Sequence, residues 1–158
     1  MIKKCRTKLS KTRMHCINND SIIIYDMLAF TKTKRLFRYD KVICQHREKM
    51  VIWNQQSIEV KGRIYQTGGA VANSSEYLKM TSVLDENLMM FRSLKDMYNA
   101  RDAHGFISYA DSYLIAVGSW HNDSAAKAEI YDIKTNCWHH LPQMNEGTCA
   151  PGLIVVGE

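Results

Sequence analysis

Tyr113-Leu114-Ile115-Ala116-Val117-Gly118 opens the most patterned stretch of the chain, which continues through Glu129-Ile130-Tyr131-Asp132, Asn136, Trp138 and Leu141-Pro142-Gln143-Met144. Similar residues stand 47 positions upstream: Asp132 answers to Asp85, Trp138 to Phe91, Leu141 to Leu94 and Met144 to Met97. Further on, Gly152 answers to Gly105 at the same offset. Gly118 matches Gly68 at an offset of 50, and an insertion of three residues between the glycines and Val83 accounts for the change. Matches of several residue types at one offset, with one loop-length difference, mark a tandem structural unit. A period near 50 residues points to propeller-type architectures.

Two segments share a recognisable motif. Ile64-Tyr65-Gln66-Thr67-Gly68-Gly69, then Phe91, Met97, Arg101 and His104-Gly105, form the first. Tyr113 to Gly118, with Glu129, Tyr131-Asp132, Trp138 and Met144, form the second. Both resemble the kelch motif, and the resemblance covers roughly Trp53 to Glu158. It implies an all-β fold, a partial kelch-type β-propeller of about three four-stranded antiparallel blades, the first degenerate and the last truncated. The glycine pair would close a blade's second strand, and the tyrosine and tryptophan would come from its third and fourth. The second motif departs from the family in having Gly118-Ser119 where two glycines are usual, and the first lacks the full aromatic pair.

Composition sets the bounds. The chain has 158 residues, 46% of them hydrophobic, enough for one domain with a substantial core. No apolar run is long enough to cross a bilayer, and the N-terminus lacks the apolar core of a secretory signal. Five scattered cysteines without a Cys-x-x-Cys read as free thiols of a reducing compartment. A cytoplasmic location follows, with nuclear import left open by the basic N-terminus. The net charge of +5 is uneven: residues 1 to 41 hold eleven Lys or Arg against three acids, so they carry +8 and the rest −3. That body lacks the clustered basic face a nucleic-acid binder needs.

The expected organisation begins with a solvated basic tail over residues 1–20. An arc follows over 21–158: a degenerate blade at 21–60, a blade at 57–104, another at 104–151, and the start of a further blade at 152–158. In the degenerate blade, Ser21 to Asp26 is a β-branched strand resembling a blade's third, and Leu36 to Tyr39 supplies a fourth. Cys44 to Met50 reads as a loop or edge segment. Lys61-Gly62 makes a hairpin turn, and Met90 to Leu94 is read as a strand although its Leu and Met favour helix. Leu153 to Val156 aligns with the first strand Phe106 to Tyr109. About three blades fall short of a closed ring, so missing sequence or another chain is expected to complete it.

On a strand, Cys137 and His139 share one face and His140 takes the other, and no second ligand pair lies at zinc spacing. Gly68-Gly69 is followed by neither a helix start nor a lysine, so it is no phosphate cradle. Asp102 near His104 lacks a nucleophile. The resemblance to kelch proteins therefore implies a non-catalytic module without cofactors or metal, and with no small-molecule substrate. It would bind a protein partner as a scaffold or in substrate recognition, such as ubiquitin-ligase adaptation or cytoskeletal docking. The contact candidates are Asn73, Ser74, Glu76, Trp120, His121 and Asn122 on loops, with Arg101 and His104, whose alternative role is structural hydrogen bonding. The rivals are a propeller-fold hydrolase or oxidase, whose signatures are missing, and a basic-tail ligand of nucleic acid or membrane.

Overall fold

The computed structural model describes residues 52–71, 73–85 and 91–156 in full. Of residues 12–18, 21–27, 33–38, 41–47 and 90 it describes the backbone. The chain divides into two compact units, Met1–Val51 and Ile52–Glu158. Strands dominate the described residues, and among them no helix is long and apolar enough to cross a membrane.

In the first unit, β1 (Thr12–Asn18), β2 (Ser21–Met27), β3 (Thr33–Arg38) and β4 (Lys41–Arg47) form an antiparallel meander in chain order. Met14 pairs with Ile24, Ile24 with Phe37, and Leu36 with Cys44. This differs from the expected half-blade. Thr12–Asn18, expected as tail, is a strand, because the β-branched run of β2 offers a backbone ladder on both its edges. Leu36-Phe37 lies in the third strand rather than the fourth; Cys44 lies in an edge strand, one of the two readings expected for it. The rest of the expected tail, Tyr39 and residues 48–50 lie outside the described residues.

The second unit holds two four-stranded antiparallel sheets. One comprises β6 (Gln56–Val60), β7 (Arg63–Thr67), β9 (Thr81–Asp85) and β10 (Met90–Ser93), side by side in that order. A ribbon of β5 (Ile52–Trp53) and β8 (Ala70–Val71) accompanies it. The other is the meander β11 (Gly105–Tyr109), β12 (Tyr113–Val117), β13 (Ala128–Asp132) and β14 (Cys137–His140). Lys61 (φ 49°) and Gly62 (φ 78°) turn the β6–β7 hairpin with both central residues left-handed, as the strands' twist favours. In the β13–β14 turn the Asp132 carboxylate accepts from the backbone N–H groups of Lys134 (2.8 Å) and Thr135 (3.1 Å). Those bonds favour its charged form and hold its pKa below the usual value.

The sequence offset is a structural equivalence. Tyr131 pairs with Trp138 and Asp132 with Cys137, as Leu84 pairs with Phe91 and Asp85 with Met90. The backbone N–H of Leu141 donates to Ala128 O (3.0 Å), and that of Leu94 to Thr81 O (2.9 Å). Met144 donates to Ala126 O as Met97 does to Lys79 O. Met90–Ser93 is a strand despite its helical propensity, because pairing to β9 overrides a weak local preference.

One core joins the two sheets. Val60, Tyr65 and Val83 from the first, with Met97 from the segment after β10, pack with Leu114, Ala116, Tyr131 and Trp138 from the second. Trp138, 2% exposed, is the wedge: its indole N–H reaches Thr81 Oγ1 (3.1 Å) and Lys95 O (3.0 Å) across the junction. Tyr131 lies against it with ring centroids 5.2 Å apart. Leu153–Val156, expected as a first strand, enters no ladder, and Ile154 and Val156 are exposed. A blade's first strand draws its hydrogen bonds from its second, and no described residue takes that place.

Candidate functional site

The loops that follow β7 and β12 begin in the same way. Gly68 (φ 60°) and Gly118 (φ 72°) leave their strands in the left-handed region. A Cβ on Gly68 would strike the carbonyl oxygen of Arg101, and one on Gly118 that of Thr148. The next residue of each loop then donates its N–H to that same carbonyl, Gly69 to Arg101 O (2.7 Å) and Ser119 to Thr148 O (2.9 Å). Only glycine lets the backbones approach so closely at positive φ.

Ser119 makes use of its departure from the glycine pair. Buried at 1% exposure, its Oγ accepts from the N–H groups of Asp102 (3.2 Å) and His121 (3.0 Å). The N–H of Trp120 donates to Asp102 O (3.0 Å). A single helical turn, α1 (Asn122–Ala125), follows, and its Ser124 Oγ donates to Ala100 O (2.6 Å).

Arg101 fastens the loop from beneath. Its Nη1 donates to Gly118 O (2.9 Å), Ser124 O (3.2 Å) and Lys127 O (2.7 Å), and its Nη2 to Glu129 Oε1 (2.9 Å). Glu129 also accepts from the N–H groups of Tyr98 (2.7 Å) and Asn99 (3.1 Å) and from Asn99 Nδ2 (2.8 Å). Burial pulls the guanidinium below its ordinary pKa, while the hydrogen bond and charge of Glu129 oppose that shift. A buried charge pair of this kind holds only when its remaining donors and acceptors are met, as most are here.

The result is a fixed platform for exposed groups. Trp120 is 65% exposed, so its indole does not cover the sheet edge. His121 is half-buried and Asn122 exposed. From the other loop, Asn73, Ser74 and Glu76 are exposed, and Tyr77 brings its ring within 4.6 Å of the His121 ring. Tyr77, just past the first of the loops expected to carry contacts, thus meets the second. They border an open cleft of about 610 Å³, walled by Tyr77, Trp120, His121 and, from the β14 side, Thr148 and Cys149.

Arg101 and His104 do not join this surface. Their exposures are 0% and 1%, and His104 Nε2 hydrogen-bonds Thr67 Oγ1 at 2.8 Å. Their part is internal, the alternative weighed from sequence. The Asp102 carboxylate takes Asn54 Nδ2 as a partner (3.3 Å). Cys137, His139 and His140 are exposed on β14, with His140 stacked on Tyr98 at 4.3 Å. Among the described residues no group of three or more His, Cys, Asp or Glu is placed to hold a metal ion.

Tyr77, Ser119 and Cys149 were missed from sequence. Each reaches the cleft by an approach between segments far apart in the chain, which no local pattern encodes. Compared with known families, residues 115–145 match the family model described as Kelch motif. No curated protein matches the chain.

Proposed function

We propose, from the match of residues 115–145 to the kelch motif, that the chain is a non-catalytic interaction module whose cleft, bordered by Tyr77 and the loop bearing Trp120, His121 and Asn122, docks another protein. Its role is that of a scaffold or substrate-recognition surface. Trp120 carries this reading: a large aromatic side chain stays in solvent on a loop that buried groups hold still. Tryptophan concentrates binding energy at interfaces, and a loop ordered beforehand loses little entropy on docking. His121 and Asn122 supply polar groups beside it, and the exposed Asn73, Ser74 and Glu76 of the segment leading to Tyr77 are assigned to the polar rim.

The test is Trp120→Ala in the full chain. Unchanged circular dichroism and thermal midpoint are expected, since the indole touches little of the core. Affinity capture followed by mass spectrometry should then lose the partners that the parent chain retains. Recovery of the same set at the same yield would sink the docking assignment.

A further inference from the structure

The β5–β8 ribbon extends the loop face by one row. Ala70 pairs with Trp53 on one side and with Tyr77 on the other. Residues directly opposed across antiparallel strands project to the same face. Trp53, Ala70 and Tyr77 therefore stand side by side, with the smallest in the middle. The Val71 N–H to Glu76 O (2.9 Å) and Leu78 N–H to Gly69 O (2.8 Å) bonds bracket the Ala70–Tyr77 pair, which makes it the closer of the two antiparallel pair types. Ile52, next to Trp53, is 5% exposed and takes the inner face, whereas Trp53 is 40% exposed. Two strand spacings, roughly 10 Å, separate Trp53 from Tyr77. The Tyr77 ring continues to His121, with Trp120 beside it in sequence. Beyond Tyr77, the exposed Asp123 sets its carboxylate 3.8 Å from His121 Nε2, and the exposed Glu76 precedes Tyr77 in the chain.

We propose that Trp53, Ala70 and Tyr77 form an aromatic-walled groove for an extended, proline-rich segment carrying a basic residue. A polyproline II strand has three residues per turn and repeats the same face about every 9 Å. That repeat matches the separation of the two aromatic walls, with Ala70 leaving room between them for a pyrrolidine ring. Such a strand has no internal hydrogen bonds to break and little entropy to lose, which is why aromatic grooves select it. Glu76 and Asp123 favour lysine or arginine over an acidic flank. The inference rests on the docking reading above and specifies the occupant of that face.

The full chain is titrated with three acetylated peptides: oligoproline ending in arginine, the same ending in glutamate, and a Gly-Ser peptide ending in arginine. Binding of the first is expected, with about tenfold weaker binding in Trp53→Ala and again in Tyr77→Ala. The glutamate peptide should bind more weakly, and more salt should narrow that difference. Thermal midpoints within a few degrees of the parent would show that the variants fold; Trp53→Tyr, which keeps a flat ring, should restore most of the affinity. Equal binding of the Gly-Ser peptide, or affinity unmoved in both alanine variants, overturns the groove. If no peptide binds while Trp120→Ala still abolishes protein capture, this inference falls and the docking reading stands. If proline binding depends on Trp53 but capture ignores Trp120, the groove stands and the loop assignment falls.

Discussion

Arg101 and Glu129 meet at 2.9 Å with neither side chain exposed to solvent, one from the segment after β10 and the other from β13. The pair joins the two sheets of the second unit and fixes the loop that presents Trp120. Replacing Glu129 with alanine strands a buried guanidinium and orphans the Tyr98 and Asn99 N–H groups. A loss of about 3–5 kcal/mol is expected from urea unfolding. Arg101→Met together with Glu129→Leu should lose less than Glu129→Ala alone, because no unpaired charge remains. A double variant worse than the sum of both singles would contradict this account.

Trp138→Phe separates the wedge from its hydrogen bonds. Phe91 holds the equivalent place in the first sheet, so a phenyl ring suits the register. The indole N–H, with two acceptors, is lost, and the Thr81 hydroxyl and Lys95 carbonyl lose a donor. About 1–3 kcal/mol of destabilisation is expected from Trp138→Phe, and about 3–5 kcal/mol from Trp138→Ala, read from denaturant midpoints.

The paired glycines should be equally intolerant. Gly68→Ala and Gly118→Ala each force an L side chain to positive φ and against a backbone carbonyl. Losses of at least about 1–2 kcal/mol follow. Gly152→Ala is the control, since no heavy atom lies within 4 Å of its would-be Cβ. It should stay within about 0.5 kcal/mol of the parent.

Alkaline stability should report on Tyr131. Burial is the main reason its hydroxyl is raised to about 12, and that hydroxyl also hydrogen-bonds Asn136 Oδ1 at 2.7 Å. An unfolded tyrosine ionises at about 10. The folded state thus holds this proton more tightly, so its contribution is complete below about pH 10 and is lost as pH rises through about 12. The urea midpoint should fall across that window, and Tyr131→Phe should flatten the fall. Absorbance at alkaline pH should show one tyrosine ionising late in the parent that is missing from the variant.

Much of the second unit was legible because its repeat is written in residues with few substitutes. A left-handed glycine, a wedge tryptophan and the aspartate at a strand end each have one best side chain. Their spacing of 47 residues turned out to be a backbone hydrogen-bond equivalence as well. The β5–β8 ribbon escaped notice because two-residue strands have no periodicity to detect. β1 was hidden by its charge, since Arg13 and His15 alternate with Met14 and Cys16 inside a basic run. Of the site, exposed Trp120 was legible as an aromatic in a polar loop. The burial of Arg101 was not, because a lone arginine gives no sign of a carboxylate 28 positions away.

Thr148 stands where Arg101 stands one repeat earlier. Its N–H donates to Ala125 O and its carbonyl accepts from Ser119, as Arg101 does with Leu78 and Gly69. The main chain of the two repeats is thus interchangeable at this point, but the side chain is not: a short hydroxyl replaces a long cationic fork. A tandem copy of the β11–β14 sheet laid against itself would keep these backbone bonds and lack the bolt. Neighbour identity is therefore written in the pair Arg101 and Glu129, whose equivalent positions hold Thr148 and Ser82, and an arginine transplanted to position 148 would forge the signature only opposite a carboxylate placed as Glu129 is.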